Sequence, residues 1–160
     1  MFCKYQTEPD KFADNLKIPT NIQIDNPIDI STKYKKKPER RIYRKIEKTE
    51  LMLYNDFQPG MYKYLFWSNK IEKGTIYLKA YEITQNYKLS EYDLRKKSTV
   101  DIFNPTDSIM CFESKSHFTI YEGDWDKPYA ARFEVWYMPD NGGQERKLLE
   151  KNFKIEGWQR

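Results

Sequence analysis

AARFEVWYMPDNGG, residues 130–143, alternates apolar and polar positions and then breaks at Pro, Asp, Asn and two Gly. Ala131, Phe133, Val135 and Tyr137 fall on one side of an extended chain, and Ala130, Arg132, Glu134 and Trp136 on the other. A period of two is the signature of a strand with one face on a core. Asn141-Gly142 supplies the residue types that tolerate positive φ, so a tight primed turn is expected there, leading into a last strand over 144–157.

The same pattern extends toward the N-terminus. Residues 75–84 alternate Ile76, Leu78 and Ala80 with Tyr77, Lys79 and Tyr81, whereas 61–67, MYKYLFW, is apolar on both faces and is expected to be a central strand buried on two sides. Further strands are expected at 40–54, 99–103, 117–121 and 129–138, with turn signals at 55–60, 68–74, 122–128 and 139–143. Ser90-Glu91-Tyr92-Asp93 reads as a capped start of a single helical turn, and 104–116 as a Pro-containing loop. About seven strands with little helix predict an all-β, antiparallel two-sheet β-sandwich with an extended N-terminal arm.

In strand count and length the pattern resembles an immunoglobulin or fibronectin type III sandwich, and the resemblance is architectural. The chain has no Cys, Trp, Cys signature of antibody domains and no internal repeat.

Residues 1–38 carry Pro9, Pro19, Pro27 and Pro38 and only short period-two pairs of Ile, at 22 and 24 and at 28 and 30, so they are expected as an extended arm or linker ahead of a sandwich domain over 39–160. The chain's net charge is +4, and segment 33–45 alone carries eight Lys and Arg against Glu39, which leaves the remainder net acidic. Lys35, Lys36, Lys37, Arg40, Arg41 and Arg44 form its basic patch. Clustered cations neutralise phosphates or lie near an anionic surface, but the acidic remainder weighs against a nucleic-acid partner.

No stretch has the 18 or so apolar residues that span a bilayer, so the sequence as written is expected to be soluble. The compartment is left open. Cys3 would suit the start of a lipid-anchored chain in a cell envelope had a targeting segment been removed before it. Cys111 lies in an apolar run, and two cysteines so far apart make no disulfide framework.

With one histidine, no Gly-rich phosphate loop and no nucleophile elbow, the sequence points away from an enzyme, and no cofactor is called for. A binding module remains, with a protein as the expected partner, held through loops or a sheet edge. A glycan stacked on the four Trp or on exposed Tyr is the alternative. If the strands run alternately up and down, loops 55–60, 85–98 and 122–128 share one end, gathering Asp56, Phe57, Tyr92, Glu122, Asp124, Trp125 and Asp126 as candidate binding residues. Their carboxylates could present oxygens to Ca²⁺, or Asp124 and Asp126 could satisfy turn amides while Trp125 covers the end of the core.

Overall fold

The computed structural model describes residues 11–28, 48–56, 58–69, 71–103 and 109–158. It is a two-sheet antiparallel β-sandwich. In chain order the elements are β1 (Glu50–Asn55), β2 (Met61–Ser68), β3 (Gly74–Glu82), β4 (Tyr87–Lys88), α1 (Glu91–Ser98), β5 (Val100–Ile102), β6 (Met110–Glu113), β7 (Phe118–Thr119), β8 (Tyr129–Pro139) and β9 (Arg146–Ile155). One sheet has the order β1-β2-β6, with β7 also on β2, and the other β4-β3-β8-β9, with β5 also on β3.

The nine described strands occupy seven rows, because two edge rows are broken. β6 pairs with Leu65–Ser68 and β7 with Met61–Tyr62, so both lie along one side of β2. On β3, β4 pairs with Tyr81–Glu82 and β5 with Gly74–Ile76, and α1 fills the interval between them. Where each edge row is missing, a serine hydroxyl takes its place. Leu78 N–H donates to Ser98 Oγ at 2.8 Å, and Tyr64 N–H donates to Ser114 Oγ at 3.0 Å. A buried backbone N–H left without a partner would cost free energy comparable to a lost hydrogen bond.

Between the sheets the alternating faces meet as the sequence predicts. Ile76, Leu78 and Ala80 of β3 and Ala131, Phe133, Val135 and Tyr137 of β8 enter the main core with Leu51 and Leu53 of β1 and Tyr62, Tyr64 and Phe66 of β2. Phe133 lies at its centre, with ring centroids 6.1 Å from Phe118 of the facing sheet and 5.8 Å from Phe153 of β9. The strand 61–67 is buried on both sides, since Leu65 and Trp67 form a second cluster with Tyr54 on the other face. Burial pushes the Tyr64 hydroxyl far above the usual phenol range, and the Tyr64 hydroxyl donates to the Ser98 carbonyl, tying one sheet to the end of α1.

Three local expectations are corrected. Residues 110–113, assigned to a loop, form β6, because Cys111 and Phe112 pair with Trp67 and Phe66. The connection after β8 is not a two-residue primed turn. Gly142 has φ 80, but Asn141 is not in the left-handed region; its side chain instead accepts from Gly143 N–H at 2.9 Å, a local Asx turn that widens the loop to 140–145. And α1 runs for eight residues without a side-chain cap, Ser90 sitting in the left-handed region with φ 41.

The described part of the N-terminal segment lies against the sandwich. Ala13 is buried and the Phe12 ring stands edge-on to Tyr129. Farther on, residues 25–28 cross the seam between the sheets. Asp25 pairs in parallel with Phe153 of β9 and Ile28 with Tyr54 of β1, each through two backbone hydrogen bonds of 2.9–3.0 Å. Lys151 Nζ secures the crossing, 3.0 Å from Asp25 and 2.8 Å from Glu50.

Candidate functional site

Loops 56–60, 83–90 and 120–128 meet at one end of the sandwich; of the expected loop 85–98, residues 91–98 instead form α1, which packs beside β3. Glu122 is the hub. One carboxylate oxygen accepts from Ser90 N–H at 2.9 Å and the other from the Ser90 hydroxyl at 2.6 Å, while Ser90 Oγ accepts from Tyr121 N–H at 2.9 Å. Asp93 reaches back to accept from Thr119 N–H at 2.9 Å. The start of α1 is therefore held by a segment some thirty residues later in the chain, and hydrogen bonds to an ionised acceptor are among the stronger ones. Ser90 sits at positive φ, and its hydroxyl serves this latch rather than its own helix.

Trp125 joins the third loop. Its indole N–H donates to the Pro59 carbonyl at 3.0 Å, and its backbone N–H donates to Asp124 Oδ1 at 2.8 Å. Beneath, the Tyr129 hydroxyl donates to the Glu122 carbonyl at 2.6 Å. Gly157 fits against this loop because it lacks a side chain: a Cβ there would stand 2.3 Å from the Glu122 carbonyl oxygen. Asp126 is exposed with φ 62, a conformation Asp tolerates better than most residues.

Asp56 is half-buried, its carboxylate 3.1 Å from His117 Nδ1. Tyr92, on the first turn of α1, is 78% exposed, and Tyr121 is 38% exposed, its ring edge-on to Trp158 at 6.2 Å. The structure thus brings Asp56, Tyr92, Glu122, Asp124, Trp125 and Asp126 to one end. Phe57, the basic patch of Lys35, Lys36, Lys37, Arg40, Arg41 and Arg44, and Cys3 lie outside the described residues.

Sequence reasoning passed over Ser90 as a partner of Glu122, and Tyr121 and Trp158 as part of this surface. No local pattern signals the first, since the pair is 32 residues apart; the aromatic character of Tyr121 and Trp158 was the available signal for the others.

Among the described residues, no three His, Cys, Asp or Glu side chains gather as a metal ion would require, and no helix is long and apolar enough to cross a membrane. Comparison with protein-family models, curated proteins and solved structures finds no match to the chain.

Proposed function

We propose that the chain is a non-catalytic interaction module, immunoglobulin-like in its two-sheet layout, that binds a protein partner through this loop end. The supporting observation is the exposed Tyr92, on the first turn of α1, and Tyr121, on loop 120–128, carried on segments that are cross-braced by Glu122, Ser90, Asp93 and Trp125. Tyrosines give large contact area with few rotatable bonds and are enriched among the residues that dominate binding energy. Loops already fixed in place lose little conformational entropy on association. Asp126 and half-buried Trp125 extend the same surface.

A glycan partner is the second reading, favoured by the aromatic content of the surface. Two of the tryptophans that motivate it are occupied: Trp67 is 2% exposed, and the Lys79 ammonium lies 3.9 Å from the centre of the Trp136 ring. Contact of segment 33–45 with an anionic surface or nucleic acid is a third proposal, distinguished by its steep loss of affinity with salt.

The test is chemical cross-linking in lysate from the source cells with wild type and a Tyr92→Ala, Tyr121→Ala double variant, alongside calorimetry against a polysaccharide panel. A protein captured by wild type and lost with the double variant supports the reading. Equal capture by both, or binding of a polysaccharide alone, overturns it.

A further inference from the structure

Residues 11–28 meet the sandwich in two different ways. At 25–28 the chain is joined to β9 and β1 by backbone hydrogen bonds. At 11–16 the backbone bonds of Asp14 and Leu16 close a turn on itself, Asp14 N–H donating to the Lys11 carbonyl at 3.1 Å and Leu16 N–H to that of Ala13 at 3.2 Å. What this turn presents to the sandwich is side chains. Phe12, Ala13 and Leu16 face inward and pack on the main core, while Lys11, Asp14 and Asn15 are exposed.

The seat belongs to the sandwich. The Phe12 ring packs on Tyr87 of β4, with centroids 5.5 Å apart, and on Tyr129 of β8 at 5.2 Å. Tyr129 is held from its far end, since its hydroxyl donates to the Glu122 carbonyl, so its position does not depend on Phe12. Tyr87 remains 51% exposed beside the turn. At the rim Lys127 of loop 120–128 meets Asp14 at 2.9 Å, with both side chains partly in solvent. A surface pair of this kind adds little. The turn is far shorter than a helix that would hold its own shape in water, so it keeps its place through three apolar side chains and one weak ion pair. Residues 17–24 separate it from the crossing at 25–28, and it can leave its seat while the seam stays paired.

We propose that residues 11–16 are a displaceable strap over a docking groove formed by Tyr87, Tyr129 and Lys127, and that the groove takes a short turn from a partner protein. The resident segment states the chemistry required: an aromatic residue, a small residue next to it, an acid to meet Lys127, and an aliphatic residue four positions after the aromatic. Apolar anchors on one face of a turn are the usual means of docking into a groove. A tethered strap competes at high local concentration, and it lowers the apparent affinity for an outside turn by the fraction of time the groove stands open. The groove adjoins loops 83–90 and 120–128, and its occupancy does not rest on the reading of Tyr92 and Tyr121 as partner contacts.

The experiment titrates a fluorescein-labelled peptide of residues 11–20, KFADNLKIPT, with the full chain as wild type, Phe12→Ala and Asp14→Lys, following anisotropy and the amides of ¹⁵N-labelled protein. Phe12→Ala is expected to bind the peptide at least tenfold more tightly than wild type, and Asp14→Lys severalfold more tightly, with saturable shifts centred on Tyr87, Lys127 and Tyr129. Binding should be lost when the peptide carries Ala in place of its Phe. Asp14 is exposed, so Asp14→Lys keeps the strap testable even if Phe12→Ala disturbs the core. No saturable binding to either variant, equal affinity for all three chains, or equal affinity of the Ala-bearing peptide would overturn the proposal. Sedimentation of wild type adds one further outcome: a concentration-dependent dimer abolished by Phe12→Ala would assign the groove to the turn of a second copy and overturn the assignment to an outside partner.

Discussion

The hydroxyl oxygens of Ser98 and Ser114 stand in equivalent places on the two sheets, each accepting from a central-strand N–H, of Leu78 and of Tyr64, where the edge row beside it is broken. Both serines are buried. Replacing either by Ala strands a buried donor, a loss of about 1–3 kcal/mol. Urea denaturation of Ser98→Ala and Ser114→Ala should show lowered midpoints with little change in slope; unchanged midpoints would mean that water reaches both N–H groups.

Glu122 fixes the start of α1 from outside the helix. Glu122→Ala removes two hydrogen bonds to a carboxylate, and a loss of about 2 kcal/mol is expected. The effect should be local as well as global. Amide exchange is expected to accelerate over residues 90–94 more than in β3 or β8, and uniform acceleration would show that the latch has no special hold on α1.

The seam carries a pH dependence. Burial alone would raise the Asp25 carboxyl, but hydrogen bonds from Gln23 and Lys151, with the charge of Lys151, outweigh it and hold the group below its ordinary value of 3.8. A depressed carboxyl stabilises the fold above pH 3.8, and that contribution is lost as pH falls through the lower, folded value. Burial opposes the charge of Lys151, yet the hydrogen bonds it donates to Glu50 and Asp25, with their charges, raise it above 10.5, so its contribution is present below 10.5 and lost as pH climbs through the higher folded value. The melting temperature of Asp25→Asn should therefore lie below wild type at pH 6 and converge with it in strong acid. Parallel curves across the acid range would rule out this source.

Gly142 and Gly157 should fail for different reasons. Around Gly142 a Cβ would meet nothing within 4 Å, so Gly142→Val pays only for φ 80, about 1 kcal/mol or more, and Gly142→Asn less. At Gly157 even Ala collides with the backbone of Glu122 and Gly123. Calorimetric melting should rank Gly157→Ala below Gly142→Asn, although Ala is the smaller side chain.

What the sequence disclosed was what a short window can hold. The alternation of Phe133, Val135 and Tyr137 and the two-sided run containing Leu65 and Trp67 report burial directly, because side-chain direction in a strand is fixed by its period of two. Counting strands then brought Asp56, Tyr92 and Trp125 to one end. β6 escaped because four residues beside a Pro-containing stretch give too short a period to separate from a loop. Ser90 misled for the opposite reason: its local pattern was a helix cap, and a distant carboxylate outbid the helix for its hydroxyl.

The crossing of residues 25–28 also sets an order of events. Gln23 and Asn152, joined across the seam, are 129 residues apart, so the segment leaves the ribosome long before the strand it must pair with exists. Contacts of such separation carry the largest loop-closure cost and form late. During synthesis the edge of β1 at Leu53 to Asn55 could already meet Ile28, whereas Asp25 has to wait for Phe153 and Lys154. β9, made after the other described strands, is thus the one that completes the seal over residues 25–28.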